Sequence, residues 1–288
     1  MSYRKSMVLI ITVYVLAFGV AVLTAIALPF DSLIATVLVA DVVATLFVYM
    51  CSTLFKNTSV YDPYWSVAPL VMVPFFVESL SPAVWVLLFV LYLWGIRLTL
   101  NWAYTFKGLH EEDWRYALFR ERFPRAFPLI NLFCLHMMPT VVVFLITLPA
   151  FLLVQSGPSL SLSYVLIAIV AVSAVIVQGS ADYKMHTHRA KHPGKVLKEG
   201  IWRYSRHPNY FGEILFWFAI YGMMAVITPD NALAVIGPLI NLLMFLVISI
   251  PLMEKRCMKR VQGYAAYKET TSMLVPLPFA LHKEVRQE

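Results

Sequence analysis

The chain has 288 residues, of which 60% are hydrophobic and 14% charged, with 19 Phe, 15 Tyr and 7 Trp. A soluble domain of this size does not need so many apolar residues, and several runs reach the roughly 20 residues that span a bilayer, so the composition excludes an ordinary soluble domain and implies a polytopic membrane protein. The formal charge of +7 does not imply a nucleic-acid partner, because the basic residues lie in loops flanking the apolar runs, where topology accounts for them.

Apolar segments run approximately over 7–28, 32–55, 65–77, 82–106, 129–154, 161–181, 210–227 and 231–252. The first is longer than a signal-peptide core and lacks a small-residue cleavage site, so it is retained as a helix. The third is short for a bilayer, with Pro69 and Pro74 predicting a tilted, re-entrant or broken helix. Counting all eight as crossings places 22 of the 23 Lys and Arg residues on one side. Both termini are then expected in the cytoplasm. Seven crossings would put the amino terminus outside. The expectation is an all-α, polytopic transmembrane helical bundle of seven or eight crossings, forming a single integral-membrane domain over 1–288.

The remaining basic residue, Arg97, lies inside the fourth segment. An arginine there lines a polar cavity more often than it stabilises packing. Asp41 sits among apolar neighbours as a buried group of unknown partner. Asp62 precedes Pro63 at a helix start, so it is read either as an N-cap or as an active-site carboxylate. In the loop 107–128, Arg120, Arg122 and Arg125 predict a short amphipathic helix on the membrane surface. The denser Glu112-Asp-Trp-Arg-Tyr116 group is a candidate cover for a cofactor.

Gln178, Asp182, Met185, His186 and Arg189 recur at spacings of three and four, one face of a membrane helix extended beyond the bilayer. The basic loop after it, with Gly194, suits a phosphate-bearing ligand or a solvated membrane-flanking loop. His186 and His188 have no acidic or cysteine company at a zinc spacing, and Cys51, Cys134 and Cys257 stand singly, so no metal is expected. Gly200-Ile-Trp-Arg-Tyr-Ser-Arg-His-Pro-Asn-Tyr-Phe-Gly-Glu213 then brings Arg203, Arg206, His207, Asn209, Tyr210 and Glu213 to the margin of an apolar run. Such a cluster must find partners or lose a large solvation energy. Pro208 predicts a helix start, Asn209 and Glu213 share a face, and Gly212 permits a close approach to the backbone. After the last helix, Tyr264 and Tyr267 either stack on a flat ring or rest on headgroups. No Rossmann or P-loop glycine pattern is present, so any nucleotide is held by the helical bundle.

The segment Gly200 to Glu213, together with Gln178, Asp182, Arg189, Tyr264-x-x-Tyr267 and the final Leu274-Val-Pro-Leu-Pro278, resembles the membrane-embedded steroid 5α-reductase superfamily, and within it a bacterial branch of poorly assigned function. Tyr61-Asp-Pro-Tyr-Trp65 and Trp94-Gly-Ile-Arg97 resemble its substrate-side positions. The resemblance implies a reductase of the bacterial inner membrane that uses NADPH on an activated carbon–carbon double bond of a lipophilic, steroid- or isoprenoid-like enone. It divides the chain into a substrate-side half over about 1–128 and a cofactor-binding half over about 129–288. It further implies that Asp182 and Asn209 hold polar groups of NADPH and Arg189 a phosphate, with Arg97 also reaching it. Gln178, Arg203, Arg206, His207, Tyr210, Glu213, Tyr264 and Tyr267 would complete the cofactor site. Asp62 would orient the substrate carbonyl. The steroid enzymes place a proton-donating Tyr where this chain has Trp94, and indole N–H is a poor acid, so Tyr64 or Tyr92 would substitute. A membrane S-adenosylmethionine methyltransferase of the isoprenylcysteine or phospholipid type, which shares the Arg-His-Pro-x-Tyr-x-Gly core, is the alternative.

Overall fold

The computed structural model describes residues 2–28 and 30–277; Pro278 of the terminal motif lies outside them. Among the described residues the chain is helical with no β-strand, apart from one isolated bridge between Lys195 and Gln262. It divides into two compact units, Met1–Pro158 and Ser159–Glu288. The helices of 127–155 pack within the first unit.

The first unit contains α1 (Tyr3–Ala27), α2 (Leu33–Leu54), α3 (Tyr64–Met72), α4 (Pro82–Thr105), α5 (Trp114–Arg122), α6 (Phe127–Ile130) and α7 (Met138–Gln155). Helix α1 buries Ser6, Ile10, Val13 and Ala17, one stripe at spacings of three and four. Its other faces show Val8, Ile11, Val15 and Leu23 outward, an apolar exterior that suits lipid and not water. Ser32 and Ser81 cap α2 and α4 through Ala35 N and Val84 N, supplying partners for amides that open helices leave unpaired. As the prolines predicted, α3 is short: it passes at Val73 into a 3-10 turn, Val73–Phe76, that carries Pro74. Helices α6 and α7 are continuous through a π-helical stretch, Asn131–Met137.

The second unit contains α8 (Leu162–Lys191), α9 (Pro208–Ala225), α10 (Ile236–Met244), α11 (Ile250–Arg260) and α12 (Tyr264–Thr270), with a π turn, Phe245–Ser249, joining α10 to α11. Helix α8 runs ten residues past its apolar stretch, as its polar stripe predicted. Pro208 opens α9 at the first helical position.

Among the described residues, six helices are long and apolar enough to cross a membrane: Tyr3–Ala27, Leu33–Leu54, Pro82–Thr105, Phe127–Gln155, Leu162–Lys191 and Pro229–Arg260. The protein is an integral membrane protein. The two other predicted segments are also helical but fall outside this set. Helix α3 has 9 residues, well under the roughly 17 that cross a bilayer, and the 18 residues of α9 include Asn209 and Glu213 in its first two turns.

Candidate functional site

In the second unit the polar residues gather where α8 meets α9. The helices approach so closely that a Cβ on Gly212 would lie 2.6 Å from Gln178 Cγ and 2.8 Å from the Ala174 carbonyl oxygen. The close approach at Gly212 therefore serves helix packing. It sets Asn209 beside Asp182, and the Asn209 amide donates to Asp182 Oδ1 at 3.1 Å. One turn on, Glu213 Oε1 accepts from the Trp217 indole at 2.9 Å. Gln178 is buried beneath this seam, Asp182, Asn209, Tyr210 and Glu213 are half-buried, and Arg189 and Arg203 are exposed.

Several residues expected at a cofactor are occupied elsewhere. Arg206 donates from Nε to Glu254 at 2.8 Å and from Nη1 to the carbonyls of Lys268 and Thr271, while its backbone N–H donates to Ser272. Glu254 also takes Lys268 Nζ at 2.8 Å. Arg206 is thus a buried strut between the start of α9 and the residues after α12, because a guanidinium this deep must spend its donors on fixed acceptors. The Tyr267 hydroxyl is likewise spent on the carbonyls of Trp202 and Ser205, and Tyr264 packs edge-on against it. Both tyrosines are buried, so neither offers an open face to a flat ring or to headgroups. Leu274 belongs to the same strap, its carbonyl accepting from the Ser205 hydroxyl at 2.7 Å. His207 stacks on Tyr210 at 5.2 Å and 8°. Burial pushes its pKa down to about 4 despite the opposing charge of Glu254, so it is a neutral imidazole at pH 7.

In the first unit the three expected catalytic residues part company. Asp62 does not cap α3; Pro63 holds that position without a side-chain cap. The Asp62 carboxylate instead accepts the Tyr116 hydroxyl at 2.5 Å. Burial pushes its pKa up to about 6, against the nearby charge of Arg115 and the hydrogen bonds of Tyr116 and Ser59. The loop bearing Tyr116 is fastened over Asn57–Asp62. Glu112 Oε1 accepts Thr58 N–H at 2.8 Å, Asp113 N–H donates to Ser59 Oγ at 2.9 Å, and Asn57 Nδ2 donates to the carbonyls of Leu109 and Glu111. The Glu112–Tyr116 group therefore covers Asp62. Arg120, expected to face lipid phosphates, pairs with Glu112 at 2.8 Å and lies over the Phe127 ring.

Tyr64 turns to Asp41, donating to Oδ1 at 2.5 Å, and stacks on Tyr61 with centroids 4.9 Å apart. Both Asp41 and Tyr64 line an apolar cavity of about 230 Å³ between α1, α2 and α3. Tyr92 is exposed on α4 and donates to the Leu70 carbonyl at 3.0 Å. Neither Asp62 nor Tyr92 lines the cavity. Arg97 and the buried Trp94 lie on α4 of this unit. A buried hydroxyl chain, Thr45 to Thr140 at 2.8 Å and Thr140 to Tyr61 at 2.7 Å, with His136 on Ser52 and on the Asn131 carbonyl, completes the polar interior. Sequence reading passed over Thr45, His136 and Thr140, and named Tyr116 as a member of the polar group 112–116 without its bond to Asp62. The three that were missed carry no signal in their own segments, since their hydrogen-bond partners lie on other helices or turns.

Fold and site together define a helical integral membrane protein with one polar seam between paired helices and an apolar, carboxyl-bearing cavity. Residues 48–271 match the family described as protein of unknown function, DUF1295, and the chain belongs to that family. It is also similar to the uncharacterized protein C594.04c of Schizosaccharomyces pombe, 22% identical over 253 residues, which cover 77% of this chain and 73% of the yeast protein. No solved structure matches.

Proposed function

We propose that the protein is a membrane reductase that uses NADPH to reduce an activated carbon–carbon double bond of a lipophilic enone, as its resemblance to the steroid 5α-reductase superfamily implies. The observation that carries the proposal is the half-buried Asp182–Asn209 pair at the start of α9, with exposed Arg189 and Arg203 on the same unit. This donor set fits a dinucleotide phosphate: the amide and carboxylate suit ribose and carboxamide groups, and the guanidinium groups suit phosphate. Tyr210 and Glu213 would shape the pocket, while Arg206, His207 and Tyr267 hold the start of α9 in place. When bound, NADPH supplies the hydride.

On the acceptor side, negative charge develops on the carbonyl oxygen, and a proton held near that oxygen lowers the barrier. Asp62 is suited to this task because its pKa of about 6 lets it carry a proton near neutrality. Tyr116 fixes the Asp62 carboxyl through its hydroxyl and is the neighbouring phenol that Trp94 cannot be. In this reading both termini face the cytoplasm, as an even number of crossings requires and as the six long helices among the described residues allow.

The test is nucleotide binding by the detergent-solubilised full-length protein. NADPH should bind, and Asn209→Ala should weaken it about tenfold or more without lowering thermal stability comparably. Binding of S-adenosylmethionine in place of NADPH would overturn the reading and assign a methyltransferase.

A further inference from the structure

The cavity of the first unit has an unusual interior. Its walls are largely apolar, and alanines recur in them, among them Ala21 and Ala25 of α1, Ala44 of α2 and Ala68 of α3. Three polar residues interrupt this surface: Tyr14, Tyr64 and Asp41. Two of them are spoken for, since Tyr14 donates to the carbonyls of Val60 and Tyr61 and Tyr64 donates to Asp41 Oδ1. Asp41 is 4% exposed, and its second oxygen, Oδ2, is buried with no hydrogen-bond partner. Such an oxygen has given up its hydration, and no group of the protein replaces it. At the outer margin Phe18 and Phe75 are both exposed and lie 6.3 Å apart, one on α1 and one in the turn after α3. The cavity is thereby bordered by apolar groups facing lipid.

We propose that this cavity is a binding site for a lipid alcohol, whose hydroxyl bonds to Asp41 Oδ2 and whose hydrocarbon leaves between Phe18 and Phe75. The chemistry selects the headgroup. A hydroxyl satisfies Oδ2 whether or not the carboxyl carries a proton, since it both donates and accepts. A ketone or an ether meets only the protonated form. A second carboxylate would repel the first, and a phosphate headgroup finds no cation among the lining residues. The size selects the fit: about 150 Å³ accommodates benzene, so 230 Å³ takes the head and the first rings or isoprene units, with the remainder in the bilayer. The alanines provide the room, because each leaves open space where a larger side chain would fill it. The inference needs only the cavity and its orphaned oxygen and does not rest on the reductase reading.

The experiment is photolabelling of the full-length protein in lipid nanodiscs. The probes are geranylgeraniol carrying a diazirine on its chain and the corresponding methyl ether, with sites read by mass spectrometry. The alcohol should label peptides from α1 and α3 and should outcompete the ether by about tenfold. Asp41→Leu should abolish that preference while hydrocarbon labelling persists; Tyr64 keeps the Asp41 backbone carbonyl, at 3.2 Å, as an acceptor. Ala21→Phe, which fills the cavity from a half-buried position, should remove labelling by both probes and covers the case in which Asp41→Leu fails to fold. Equal labelling by alcohol and ether in the parent protein overturns the proposal. So does a preference that survives Asp41→Leu, or labelling unchanged by Ala21→Phe.

Discussion

Replacing Asp62 by Asn separates the energetic consequences of burying this carboxyl from its chemistry. The folded protein raises the pKa of Asp62 from 3.8 to about 6, with burial as the largest cause. A shift of about two units corresponds to about 2–3 kcal/mol between the two protonation states. Because the folded value lies above the unfolded one, the stabilising contribution is fully present below about pH 4 and is lost as pH rises through about 6. Above pH 7 the parent carries the cost of an ionised, half-buried carboxylate. Asn bears no charge and keeps an oxygen to accept the Tyr116 hydroxyl. Asp62→Asn should therefore be as stable as the parent or more stable at pH 7.5, and should lose its advantage near pH 5. Thermal unfolding of the solubilised protein across pH 5–8 reads the difference. In the proposed reaction the same variant should bind NADPH and turn over about 10²–10⁴-fold more slowly. A parent that gains stability from pH 5 to 7, together with a variant weaker at pH 7.5, would refute the reasoning: attraction to Arg115 would then outweigh burial.

Three further outcomes follow from packing. Arg206→Gln should cost about 1–3 kcal/mol in the same thermal assay, because it takes the donor from the carbonyls of Lys268 and Thr271 while Lys268 still pairs with Glu254. Gly212→Ala should destabilise by about 1–3 kcal/mol, since its Cβ would meet the Ala174 carbonyl, which belongs to the α8 backbone and cannot swing aside. Thr140→Val keeps the shape but removes the hydroxyl between Thr45 and Tyr61, and should lower stability by about 1–3 kcal/mol.

What the sequence reveals here follows the range of the forces involved. Proline at a first helical turn acts locally, so the start of α9 at Pro208 is legible, as is the break near Pro74. The periodicity from Gln178 to Arg189 likewise reports one continuous helix, α8. The partners of charged groups are not legible in this way. Arg206 resembles a ligand-binding residue in its own segment, yet its acceptors lie 48 to 66 positions further along the chain. Asp62 looks like a cap until Tyr116, 54 residues away, takes its carboxylate. The π stretches leave no mark either, because the apolar pattern of 129–154 and 231–252 is compatible with uninterrupted α-helix.

The two polar regions share a construction that explains why they lie where they do. Each begins with a 3-10 turn, Thr58–Tyr61 or Gly200–Arg203, and is followed by a proline and a helix, the 9-residue α3 or the 18-residue α9. A short or interrupted helix at membrane depth leaves backbone groups that lipid cannot satisfy. In both places a distant segment supplies the partners. Glu112 accepts Thr58 N–H in the first unit, and the Ser272 carbonyl accepts Arg206 N–H in the second. The same segments then hold Asp62 through Tyr116 in one unit and the start of α9 through the Arg206 contacts in the other. A long uninterrupted helix would need no such loops and would leave no polar margin on which to build a site. These interrupted starts are thus the structural condition for the chemistry proposed, and stretching α3 with additional apolar residues should dissolve the Thr58–Glu112 clasp before it disturbs the long helices.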